Sequence, residues 1–224
     1  MSPTSYDPEK GDVQSSPSPQ VSVHHPRPSR IANPAALGFF SFASTTFLLS
    51  MYNTQVRHIT QPNVVVGMAV FCGGLCQLLS GMWEFPRGNM FGATAFTSYG
   101  AFWMSYATIL IPGSGIIAAF GGNTKEFNNA VAIYLIAWLM FTFFLALASL
   151  RKNIALISLF VILEVTFGCL IGGSFNGNAN VTKAGGVTGV ITAFVAYYLA
   201  ASELLSAEPY PVFTLPLGVI KGSD

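Results

Sequence analysis

The sequence predicts an all-α integral membrane protein, a six-transmembrane-helix bundle with both termini in the cytoplasm. Three observations predict it. Of 224 residues, 52% are hydrophobic and only 8% charged, with a mean hydropathy of +0.55. A soluble domain carries about 25% charged residues, so this chain cannot clothe a water-facing surface. Six apolar stretches, each near the ~20 residues that cross about 30 Å of hydrocarbon, are separated by polar connections. Lys and Arg then fall unevenly. Lys10, Arg27, Arg30, Arg87, Arg151, Lys152 and Lys221 lie on the side of the N-terminus, and only Arg57, Lys125 and Lys183 on the other. That excess marks the cytoplasmic side.

Residues 1–30 read as a disordered cytoplasmic tail. They are rich in Ser, Pro and charge (Ser15-Ser16-Pro17-Ser18-Pro19) and lack the apolar periodicity that offsets ordering entropy. They hold no apolar signal-peptide core, and His24 and His25 read as solvated. Residues 31–206 form the transmembrane domain. Its first span, Ala35–Tyr52, opens at Asn33-Pro34, a preferred N-cap followed by the residue favoured at the first helical position. Free amides and the positive end of the helix dipole there offer an anion a resting place, although every helix start has such groups. The second span, Asn63–Trp83, carries Gln77. The third runs from Gly88 to Ile111, and its Phe96, Tyr99, Trp103 and Tyr106 share one face at i, i+3, i+7 and i+10. Gly88 and Gly92, four apart, would bare one side for a neighbouring helix. Thr94, Thr97, Ser98 and Ser105 add hydroxyls. They suit either aromatic packing with back-bonded hydroxyls or a pore-lining face.

After a loop at residues 113–128, the fourth span, Asn129–Leu150, is mostly Leu, Phe and Ala and reads as packing or lipid-facing, with no chemistry in it. The fifth is Ile154–Gly173 and the sixth Gly185–Leu205, joined through residues 174–180. Gly168/Gly172 and Gly185/Gly189 repeat a spacing that favours close helix packing. Residues 207–224 read as a cytoplasmic C-terminal tail. The sequon Asn180-Val181-Thr182 would face outward.

Several function classes are excluded. No Ser–His–Asp set, phosphate loop or His/Cys cluster is present, so no enzyme activity, cofactor or metal is expected. Cys72, Cys76 and Cys169 read as small buried fillers. A net charge of +1 without a basic stripe argues against nucleic acid. No Lys or Arg falls within a span, which suits passage past weak neutral donors rather than tight capture of an anion. Glu84 and Glu203 lie near predicted membrane edges. Glu164 lies mid-span, where a carboxyl must be protonated, paired or beside a wet cavity; a proton-linked role is open.

Two motifs carry a resemblance. Asn33-Pro34-Ala35-Ala36-Leu37-Gly38-Phe39 resembles the Asn-Pro-Ala-Pro-Leu-Gly-Leu signature of the acetate uptake transporter family, departing at Ala36 and Phe39, and Gly88–Trp103 resembles a second signature. Phe213–Gly218 is a weaker match. The likeness extends from Asn33 to Gly218. It implies a six-helix pore in each protomer, a homohexamer, and an aromatic–aromatic–aliphatic constriction. Matched by motif and helix position, Phe42, Tyr99 and Leu163 would form that constriction. Asn33, Pro34, Ala35, Leu37 and Gly38 would recruit the anion, and Thr46, Gln77, Thr94 and Ser98 would supply a polar wall. The function implied is transport or channelling of acetate and similar short monocarboxylates, coupled to protons. Alternatives are ammonia or ammonium export, and a non-transporting membrane sensor or scaffold. The Ser/Pro-rich tail suggests a fungal version in the plasma membrane, with the lipid bilayer as its surroundings.

Overall fold

Asparagine side chains and glycine turns set where the helices begin. The computed structural model describes residues 31–220, so the expectations for the N-terminal tail and for Lys221 lie outside the described residues. Among the described residues there are six long helices: α1 (Ala35–Asn53), α2 (Val65–Glu84), α3 (Met90–Leu110), α4 (Thr124–Ser149), α5 (Ile154–Asn176) and α6 (Ala179–Ser206). All but α3 are both long and apolar enough to cross a bilayer. At 21 residues α3 has the length, but its Thr, Ser and Tyr residues lower its hydropathy.

Several boundaries differ from the sequence reading. At α3 the Asn89 side chain accepts from the Gly92 amide at 3.1 Å, while Gly88 sits in a turn at φ +77. Gly88 therefore lies outside the helix and forms no shared face with Gly92. Residues 124–128 are helical rather than loop, because Asn123 accepts from the Glu126 amide and donates to its carboxylate, at 3.1 and 3.0 Å. The first bond satisfies a backbone amide that otherwise has no partner, and the second holds the capping side chain in place. Likewise Asn178 starts α6 well before Gly185, after Gly177 at φ +61, so only Gly177 and Asn178 separate α5 from α6. The sequon's Asn180 thus lies in the first turn of α6. The middle of α2, Met68–Cys76, is wound as a π-helix.

Neighbouring helices pack in the order α1, α2, α3, then α4, α5, α6 and back to α1. Small residues make the tight seams. A Cβ on Gly100 of α3 would sit 2.7 Å from the Leu78 backbone nitrogen and 2.9 Å from the Gly74 carbonyl oxygen of α2. On α6, Gly186 abuts the backbone of Ser50 and Thr54, whereas Gly168 of α5 faces outward with nothing within 4 Å. Backbones of α3 and α4 approach less closely than the other neighbours. Side chains close that seam: Phe102 lies 5.1 Å from Trp138 and 6.0 Å from Tyr134 between ring centroids.

The chain after α6 is not a free tail over its described part. It runs back along the bundle end, where the Gly218 and Leu217 carbonyls accept from the Ile154 and Ala155 amides at 3.0 and 3.2 Å. Ser202 and Tyr198 donate to the Leu215 and Pro216 carbonyls. Two orphan amides of the α5 start are satisfied this way.

Candidate functional site

Two cavities enter the bundle from opposite ends. The first, of about 280 Å³, is lined toward the bundle end by Asn89, Lys152, Asn153, Glu203 and Val219, and further in by Phe39, Phe96, Phe160, Gln77, Phe42 and Tyr99. The second, of about 370 Å³, opens among Asn53, Gln55, Asn128, Ser174 and Thr182 and ends at Leu49, Phe102, Leu135 and Phe167. On α3 the cavities are one turn apart, Tyr99 on one side and Phe102 on the other. Along α5 the gap between Phe160 and Phe167 holds Leu163, and along α1 the gap between Phe42 and Leu49 holds Thr46.

Phe42, Tyr99 and Leu163 belong to one buried apolar cluster, each about 95% buried. The Phe42 and Tyr99 rings lie 5.5 Å apart between centroids. Tyr99 is further flanked by α4, with Trp138 stacked at 6.4 Å and Phe141 edge-on at 5.7 Å. Its hydroxyl bonds the Thr142 hydroxyl at 2.8 Å. The sequence reading expected no chemistry on the fourth span. In the structure Thr142, like Tyr134, hydrogen-bonds a hydroxyl of α3, and one threonine in an apolar run gave no signal of its partner.

The polar candidates separate. Gln77 is 1% exposed, lines the first cavity, and its Oε1 accepts no hydrogen bond. Thr46 lies between the cavities with an unpartnered Oγ1. Thr94 and Ser98 are half-buried on α3 and line neither cavity. Half-buried Glu164, beside Leu163, also lines neither, and its enclosed Oε1 has no partner.

Of the Asn33–Gly38 motif, Ala35 alone lines the first cavity, and the others lie around the start of α1. Asn33 accepts from the Ala35 amide at 3.1 Å and from Arg87, and donates to Glu203 at 2.6 Å. Arg87 also pairs at 3.3 Å with Glu84, whose side chain is fully buried. Asn33 thus joins α1, the α2–α3 turn and α6. The Pro34 carbonyl accepts from Ser80 at 2.7 Å, and Ala35 lines the cavity. Gly38 lets Phe96 and Ser80 approach where a Cβ would meet them at 2.8 and 2.7 Å, whereas Leu37 faces outward. Lys152, absent from the sequence candidates, lies 4.6 Å over the Phe91 ring and lines the same cavity. Its place in a short charged connection concealed it.

Known proteins share this architecture. The profile of the GPR1/FUN34/yaaH family matches residues 15–219. Ammonia transport outward protein 2 of Saccharomyces cerevisiae is 44% identical over 190 residues, covering 85% of this chain and 67% of that protein. The Succinate-acetate/proton symporter SatP of Escherichia coli is 36% identical over 190 residues, covering 85% of this chain and 97% of that protein. A solved structure described as the bacterial acetate channel SatP superposes with a TM-score of 0.74 at 34% identity, over 84% of this chain and all of that one. With the profile spanning nearly the whole bundle and the fold superposing on a family channel, the chain belongs to the GPR1/FUN34/yaaH family.

Proposed function

We propose that the chain is a conduit for acetate and similar short monocarboxylates, coupled to protons, with its pathway running through the two cavities. One observation carries this reading: the cavities approach from opposite ends and stop one to two helical turns apart, at a layer holding Phe42, Tyr99 and Leu163. Apolar rings at a narrow point dewet it and hold back hydrated ions, while the small methyl of acetate suits an apolar passage. Lys152 and the α1 start recruit the anion at the first mouth, opposed in part by the Glu203 carboxylate. Beyond it lie the enclosed, unpartnered Gln77 and Thr46 oxygens, sites where water or a protonated acid would supply the missing hydrogen bond. Glu164, next to Leu163, is the acidic group we assign a proton-linked role. The names of SatP as symporter and acetate channel support the substrate class.

On this reading all six helices span the plasma membrane, α3 included, because its aromatics face protein and its exposed Ser105 and Thr108 hydroxyls bond back to their own helix. The excess of Lys and Arg places both termini in the cytoplasm, and protomers assemble as hexamers. Ammonium export is the second reading, favoured by the name of a yeast relative and by the carboxylate at the first mouth. Proteoliposomes separate the two. Uptake of labelled acetate without ammonium flux supports the first, and ammonium flux alone replaces it with the second.

A further inference from the structure

We infer that Thr142 is the positioning residue of the constriction, holding the Tyr99 ring at the aperture that sets which monocarboxylates pass; this rests on the pathway proposed above. Some hydroxyls in these spans bond back to their own helix, as Ser149 does to Ala146 and Thr192 to Thr188, and others reach across, as Ser80 does to the Pro34 carbonyl and Ser105 to the Tyr134 hydroxyl. Thr142 reaches across, and to the constriction itself. It is fully buried, and its hydroxyl bonds across the seam to the Tyr99 hydroxyl at 2.8 Å. That seam is where neighbouring backbones stand well apart and side chains close the ring. Nothing in the α3–α4 backbone geometry therefore fixes Tyr99 from the α4 side. Trp138 and Phe141 hold the flanks of its ring, and Thr142 holds its tip.

Loss of the Thr142 hydroxyl leaves a buried phenol without a partner. The ring tip then swings toward the water or carboxylate in the pathway, and the aperture narrows. A valine at the same position keeps the shape of threonine, so a change in passage reflects the lost bond rather than a new void. Serine keeps the bond and removes only a methyl group.

The test uses the full chain in proteoliposomes and reads the ratio of labelled butyrate to labelled acetate uptake. Thr142→Val should lower that ratio about fivefold, the factor that ~1 kcal/mol of lost hydrogen bonding represents. Thr142→Ser should keep the wild-type ratio. Tyr99→Phe removes the phenol that would swing, so adding Thr142→Val to Tyr99→Phe should leave the ratio of Tyr99→Phe unchanged. An unchanged ratio in Thr142→Val, an equal shift in Thr142→Ser, or a further shift when Thr142→Val is added to Tyr99→Phe would overturn the assignment. If Thr142→Val does not fold, Thr142→Ala, which also lacks the hydroxyl, takes its place beside the Thr142→Ser control. A wild-type chain that takes up neither acid overturns the pathway itself. Wild-type uptake with an unmoved ratio overturns only the role of Thr142.

Discussion

Asn33, Asn89, Asn123, Asn153 and Asn178 each accept a backbone amide at the start of one of the six long helices. An asparagine oxygen supplies one missing partner to the amides a helix start leaves free. Asn33 carries more than a cap, because Arg87 and Glu203 also lean on it. Asn33→Ala should lower stability by about 1–3 kcal/mol, read as a fall in thermal unfolding temperature in detergent, and Asn33→Asp should cost more by facing the Glu203 carboxylate. A variant as stable as wild type would show that the three-helix junction contributes little. The asparagine code was legible in the sequence but was read only at Asn33. Asn123 and Asn178 stand among glycines and other asparagines that look like loop, so the starts of α4 and α6 were placed late. Thr142 was not legible, because its partner lies 43 residues away and one threonine among leucines and phenylalanines has no periodic mark.

At the scale of elements, glycine decides which helices meet closely. Gly100 has α2 backbone against it, whereas Gly168 has open space. Gly100→Ala should cost about 1–3 kcal/mol through overpacking, seen as a lower unfolding temperature. Gly168→Ala, gaining helix propensity of about 1 kcal/mol, should be neutral or slightly stabilising for the protomer. Equal effects would mean that close α2–α3 approach is not what holds the pair. The small-residue spacing in the sequence found Gly185 and Gly189 correctly as close-packing positions, yet it could not tell them from Gly168, because spacing marks a bare helix side and not what fills it. The π-wound stretch of α2 was likewise invisible, since its apolar residues suit any helical winding.

At the scale of the whole molecule, alternating apolar and charged stretches were enough to read a helical membrane bundle, and its family was read from the motifs at Asn33–Phe39 and Gly88–Trp103. Closure of the helices around two opposed cavities was not readable from periodicity, because it depends on which faces meet. Phe42 and Tyr99 were reached through motif resemblance, and their rings do meet, 5.5 Å apart between centroids. Thr94 and Ser98 were picked by residue type alone and line neither cavity. With both termini inside, a membrane-impermeant thiol reagent applied to intact cells should label Arg57→Cys and Lys125→Cys but not Arg151→Cys; labelling of Arg151→Cys would invert the orientation or change the number of crossings. The central claim is that this chain itself moves acetate through the layer at Tyr99, driven by protons. Its most direct test is labelled acetate uptake into proteoliposomes, with and without an imposed pH gradient, for the wild type, Tyr99→Ala and Glu164→Gln. We expect uptake that rises with the gradient, a clear change in Tyr99→Ala, and loss of the gradient response in Glu164→Gln. No acetate uptake by the folded wild-type protein in either condition would contradict it.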